Sequence, residues 1–190
     1  MPTGYKMADF GGQPSEISNR SDGPLFQTVE LNWSKPKLWE KGFGAPVDHD
    51  EPCLYLLQRD HPSSTRSMRI VYVGLTVSPK TRFLNHPTAN RIVGMRGSTF
   101  LSYAVVRFTG RNRETREKYT LEQVEHLLIW ALWNELENEK KMFTLPGMGV
   151  NGGTAWQILN SGYRFQGQMP KEIVYPWMVI KPGRDRSARR

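Results

Sequence analysis

Two phenols, a guanidinium, an imidazole and a carboxylate stand out in this sequence for what they could do together: Tyr55, Tyr72, Arg82, His86 and Glu125. Phenols and imidazoles pass protons. A guanidinium offers phosphate oxygens a planar fork and stays charged at any working pH. A carboxylate on an apolar helix stripe is costly unless a cation meets it, either an arginine or a metal ion. Glu125 is such a carboxylate, because Leu121, Leu128, Ile129 and Leu132 lie at i−4, i+3, i+4 and i+7. Glu122, between Lys118 and His126, reads instead as solvated surface. Each residue has a plainer reading when taken singly. Strand tyrosines pack in cores with a wet hydroxyl, and an Arg–His pair at i, i+4 faces solvent.

The elements that must position these groups follow from periodicity and turn chemistry. "CLYLLQRD" and "MRIVYVGLT" are short runs rich in apolar, β-branched and aromatic residues, and the polar "HPSSTRS" between them predicts a hairpin. Alternation puts Cys53, Tyr55 and Leu57 on one face of the first strand, and Ile70, Tyr72 and Gly74 on one face of the second. In "SPKTRFLNHP", Ser78 suits an N-cap, Pro79 a first helical residue and Pro87 a stop. That predicts a helix of about two turns with Arg82 and His86 on one face. "TFLSYAVVRFT" predicts a third strand, and Thr120 with Gln123 a capping box that opens a long helix over 120–142. "TAWQILNSGY" reads as a short helix and "EIVYPWMVI" as a last extended segment.

The predicted fold is therefore α/β (α+β): a small, mostly antiparallel three-stranded sheet flanked by helices, with extensions at both ends. Residues 1–24, rich in Gly, Pro, Ser and Asn, predict a disordered or loosely packed arm. Residues 25–52 predict an extension packing on the core, 53–165 the compact domain, and 166–190 a C-terminal segment with a basic tail.

The chain has 190 residues and a formal net charge of +8, a balance that favours an anionic partner such as nucleic acid. No apolar run approaches the ~20 residues that span a bilayer. "MPTGYKMADFGGQPSE" carries no apolar secretory core. The single cysteine, Cys53, excludes a disulfide within the chain and a cysteine-cluster zinc site, which fits a cytoplasmic address.

Together these residues resemble the GIY-YIG nucleases. "CLY" at Cys53–Tyr55 and "YVG" at Tyr72–Gly74 are similar to the tripeptides that name the family. "SPKTRFLNH" is similar to its helix, with the arginine at Arg82 and the histidine at His86. "VEHLLI" resembles the segment bearing its metal-binding glutamate, at Glu125, and Asn151 in "VNGG" resembles its late asparagine. The resemblance spans roughly residues 53–153. It departs from the family in three ways: Cys53 replaces a glycine, the hairpin loop is long, and so is the gap from Glu125 to Asn151. The long gap leaves Asn138 and Asn160 as alternatives.

The resemblance implies a metal-dependent DNA endonuclease, stand-alone and restriction-like, without the partner domains of homing or repair relatives. Glu125 would hold one divalent ion, Mg²⁺ or Mn²⁺; Arg82 would bind phosphate; Tyr55 or Tyr72 would activate water, with His86 relaying a proton or orienting a hydroxyl. Asn151 would brace the site. DNA contact falls to Arg107, Arg111, Arg113, Arg116 and Lys118 before the long helix, and to Lys181, Arg184, Arg186, Arg189 and Arg190 in the tail. Asn19, Arg20 or the hairpin loop could reach base edges. No membrane is implied, and cutting both strands favours a homodimer. The competing readings are a structure-specific or repair nuclease and a nucleic-acid-binding module without chemistry.

Overall fold

Phe26, Val29, Leu31 and Trp33 are buried while Gln27, Thr28, Glu30 and Asn32 face out, so Phe26–Trp33 forms a one-sided strand, β1. The computed structural model describes residues 14–18, 25–62, 64, 67–106, 113–146, 155–176 and 179–181. The side chains at 15, 113–117, 135 and 179–181 fall outside that description. After β1 come β2 (Lys37–Trp39), β3 (Cys53–Asp60), β4 (Arg69–Thr76), α1 (Pro79–Leu84), α2 (Pro87–Gly94) and β5 (Ser98–Val105). Then follow α3 (Arg113–Leu132), β6 (Ala155–Gly162), β7 (Glu172–Tyr175) and β8 (Val179–Lys181).

The expected mixed α/β architecture holds, with two four-stranded sheets among the described residues. The first, in the order β2-β5-β3-β4, is antiparallel throughout; it contains the three expected strands and adds β2 at the edge. In the second, β1-β6-β7-β8, β1 runs parallel to β6 and the other pairs are antiparallel. Segments from both ends of the chain thus share a sheet. One face of the first sheet sends Leu54, Leu56, Val73 and Ala104 into a core shared with Leu121, Val124 and Leu128 of α3 and with the second sheet. The other face packs Tyr55, Leu57, Val71 and Leu101 against Phe83 of α1 and Ala89, Ile92 and Val93 of α2. No helix among the described residues is long and apolar enough to cross a membrane.

Several local expectations are corrected. Residues 155–162 form a strand and not a short helix, because β1 supplies a parallel partner along their whole length. The long helix begins at Arg113, so Thr120 is a buried interior residue and not a cap, and the helix ends at Leu132, short of 142. A register shift opposite Leu57 and Gln58 skips Val71, so Tyr72 keeps the face of Tyr55 while Ile70 joins the opposite core. The chain over 79–86 is not one helix. It breaks after Leu84, and Pro87 starts α2 with His86 as its N-cap.

Candidate active site

Tyr55 lies mid-strand in β3, opposite Gly74 of β4. A side-chain carbon at Gly74 would collide with the Tyr55 ring and hydroxyl, so the tyrosine in β3 depends on the glycine in β4. The Tyr55 ring is fully buried, edge-on to Phe83 at 4.9 Å and 6.1 Å from the ring of Tyr72. Tyr72, two residues before Gly74, is only partly buried and lines a pocket of about 290 Å³ with Thr88, Glu125, Ile129 and Asn138.

His86 reaches this face from the start of α2. As N-cap its Nδ1 accepts the Ala89 N–H, at 3.2 Å. A neutral ring with Nδ1 accepting carries its proton on Nε2, which then donates to the Tyr55 hydroxyl at 2.5 Å. The ring is buried, and desolvation followed by the charge of Arg82 depresses its pKa to about 4, so it is neutral at pH 7. Arg59 supports α2 from its other end, where its guanidinium donates to the carbonyls of Ile92, Met95 and Arg96.

Arg82 is on α1, whose first turn is held by the loop that precedes β3. Asp50 Oδ1 accepts from Ser78 Oγ at 2.9 Å and from the Lys80 N–H at 3.1 Å, doing the capping that the Ser78 side chain does not. The Arg82 guanidinium lies beside both tyrosine hydroxyls and favours their ionised forms. Desolvation outweighs it. Tyr55 is held well above the ordinary phenol value by burial and then by Tyr72. Tyr72 is raised by burial and then by the Glu125 charge, against which hydrogen bonding from Tyr55 works.

Glu125 projects from the stripe of Leu121, Leu128 and Ile129, all buried. Its carboxyl is raised by desolvation and drawn back down mainly by Lys141, whose Nζ sits 2.6 Å from Oε2. The expected cation is thus a lysine, and it comes from a turn that the periodicity of α3 does not reveal. Among the described residues no group of three or more His, Cys, Asp or Glu side chains is placed to enclose a metal ion.

Tyr55, Tyr72, Arg82, His86 and Glu125 are therefore brought together, although Arg82 and His86 sit on different elements. Asn151 lies outside the described residues, as do Arg107, Arg111, Arg184, Arg186, Arg189, Arg190, Asn19 and Arg20. Of the alternative asparagines, Asn138 lines the pocket, whereas Asn160 accepts from Trp33 Nε1 and borders a different cavity. Lys118 is exposed on α3; Arg113 and Arg116 belong to that helix and Lys181 to β8, where only the backbone is described. Cys53 is fully buried, and desolvation pushes its thiol up to about 12, so it stays protonated. Compared with protein-family models, curated proteins and solved structures, the chain finds no match.

Proposed function

We propose that this protein is a metal-dependent DNA endonuclease of the GIY-YIG type, hydrolysing phosphodiester bonds. The observation that carries the reading is that Tyr72 and Glu125 line one pocket while Tyr55 and Arg82 stand against Tyr72 behind its wall, the four drawn from two strands and two helices. A purely structural cluster would have no need of a guanidinium beside two phenols and a desolvated carboxylate facing the same cavity.

Glu125 fits a divalent ion. Its oxygen already takes a cationic partner, the Lys141 ammonium, and it faces open volume. A lone carboxylate suits Mg²⁺ or Mn²⁺, which keep several waters and take further oxygens from substrate. Bound there, the ion would polarise the phosphate and stabilise the leaving oxygen. Asn138 takes the role that the resemblance gives to Asn151.

The protein's own groups do the rest. Arg82 binds non-bridging oxygens and offsets charge gathering on the phosphorus centre. Tyr72, at the pocket wall, would take the proton from the attacking water only after releasing its own to solvent: burial and the Glu125 charge disfavour the phenolate, and Arg82 together with a cation neutralising Glu125 would favour it. Tyr55 is too buried for that role, but its hydroxyl hydrogen bonds to Tyr72 and stabilises the phenolate. His86 orients the relay and is not its terminus: donation from Nε2 turns the Tyr55 proton away from the imidazole and toward Tyr72. DNA contact is assigned to the basic residues from Arg107 to Lys118 and to the basic C-terminal tail, and each phosphate contact makes affinity salt-dependent.

The deciding experiment incubates the full chain with supercoiled plasmid and with a four-way junction, in Mg²⁺ and in EDTA. Mg²⁺-dependent cleavage that Glu125→Gln and Arg82→Ala abolish is the expected result. Discrete plasmid fragments mean sequence-specific cutting, and cutting of the junction alone means a structure-specific enzyme. A folded protein that shifts both substrates and cuts neither is a binding module, and overturns the proposal.

A further inference from the structure

Lys141 follows Glu125 by 16 residues, beyond the end of α3, and the 2.6 Å contact between them sits inside the candidate site. The Glu125 side chain is 13% exposed and that of Lys141 32%, so solvent screens this pair less than an open surface pair. The backbone at Lys141 adds a second, independent observation. Its φ is 68°, in the left-handed region where a residue with a side chain is strained. A glycine would relieve that conformation but would carry no ammonium.

The preceding residues explain how the turn is held. The Glu137 N–H donates to the Val71 carbonyl at 2.6 Å, and Asn138 bonds both backbone groups of Val73. Residues 137–138 thus grip the free edge of β4, and the turn after them brings Lys141 back to the carboxylate on α3.

We propose that Lys141 is a displaceable counter-cation of the Glu125 site: it neutralises the carboxylate in the metal-free protein, and a divalent ion binds by displacing it. The inference rests on the endonuclease reading and adds regulation to it. An ammonium and a metal ion compete for the same oxygen lone pairs, so Lys141 raises the metal concentration at which the site fills. It also keeps an anionic pocket wall from repelling the phosphate backbone before metal arrives.

The test is calorimetric titration of Mn²⁺ into the full chain without DNA, comparing wild type, Lys141→Met, Lys141→Arg and Glu125→Gln. Methionine keeps the stem and removes the charge, and should tighten Mn²⁺ binding by up to roughly fivefold, the effect of losing one favourable ion-pair competitor. Arginine keeps a cation and should leave affinity near the wild-type value. Glu125→Gln should abolish the binding heat. If Lys141→Met binds no tighter than wild type while Glu125→Gln removes the heat, displacement is wrong and the endonuclease reading stands. If Glu125→Gln binds as wild type does, Glu125 is not the ligand, and the metal assignment falls together with this proposal. Absence of binding by both wild type and Lys141→Met also overturns displacement. Should the methionine variant melt early, Lys141→Gly repeats the test with the backbone strain relieved.

Discussion

The His86 imidazole donates from Nε2 to the Tyr55 hydroxyl at 2.5 Å, and the direction of that bond is set on the far side of the ring, where Nδ1 caps α2 through the Ala89 N–H. One residue thus ties a helix start to a strand tyrosine. The same tie fixes which way the buried hydroxyl points, and so links the packing of α2 to the pocket wall at Tyr72.

His86→Asn separates the two duties. Asparagine is a strong N-cap, so α2 should keep its start, whereas alanine should cost about 1 kcal/mol in capping alone. Alanine has no donor, and the asparagine amide, shorter than the imidazole, falls short of Tyr55 when its Oδ1 caps α2. Urea denaturation should find His86→Asn more stable than His86→Ala, while single-turnover cleavage should be impaired in both. Wild-type cleavage by His86→Asn would reduce the imidazole to a cap.

Acid should weaken the fold through the same residue. Desolvation and the Arg82 charge hold the folded pKa near 4 against an ordinary 6.5, so between these values the unfolded chain binds a proton that the folded chain refuses. Stability from this group is complete above pH 6.5, falls as pH drops through the window, and levels off below about 4. His126 is depressed as well, by desolvation, and acts in the same direction. Urea midpoints between pH 4 and 8 should decline on acidification in wild type, and less steeply in His86→Asn. Parallel declines would place the proton uptake elsewhere.

Gly74→Ala tests the dependence of β3 on β4. The added carbon meets the Tyr55 ring and hydroxyl, and the ring has little room to yield because Phe83 and His86 hold it. Overpacking of this kind costs about 1–3 kcal/mol. The variant should melt earlier and should cleave poorly even where it is fully folded. Unchanged stability would mean that the hairpin adjusts at no cost.

Local pattern revealed a good part of this architecture. The β3–β4 hairpin and β5 announce themselves through β-branched and aromatic runs between turn residues, and the stripe around Glu125 marks the carboxylate, whereas the expected single last extended segment is two strands, β7 and β8, that pair antiparallel. What pattern missed depends on partners distant in the chain or on ambiguous punctuation. Pro87 has the fixed φ that both ends one helix and begins the next, so reading it as a stop hid α2 and moved His86 onto the wrong element. Residues 155–162 are a strand because β1, more than a hundred residues earlier, pairs with them. The skipped residue Val71 inverts the side of Ile70 without any sequence signature. Lys141 and Asn138 sit in a polar run after α3, where nothing in composition sets them apart from solvated surface.

Asn138 offers the sharpest structural test of the site. Its amide mimics a neighbouring strand: Oδ1 accepts the Val73 N–H at 3.1 Å and Nδ2 donates to the Val73 carbonyl at 2.9 Å. These two bonds satisfy the free edge of β4 next to Tyr72 and fasten the turn that carries Lys141. Asn138→Leu removes both and leaves two backbone groups without partners, at about 1–3 kcal/mol for each one kept from water. Asn138→Asp keeps an acceptor but loses the donor, and sets a negative charge against the Val73 carbonyl. Amide hydrogen exchange at Val73 should quicken strongly in the leucine variant and less in the aspartate one, while the buried strand centre at Leu56 stays protected. Cleavage should fall in both, since Tyr72 is the next residue along β4 and its hydroxyl depends on that backbone staying in place. If Val73 stays as protected in Asn138→Leu as in wild type, the edge of β4 is held without this side chain, and Asn138 serves the pocket only as a wall.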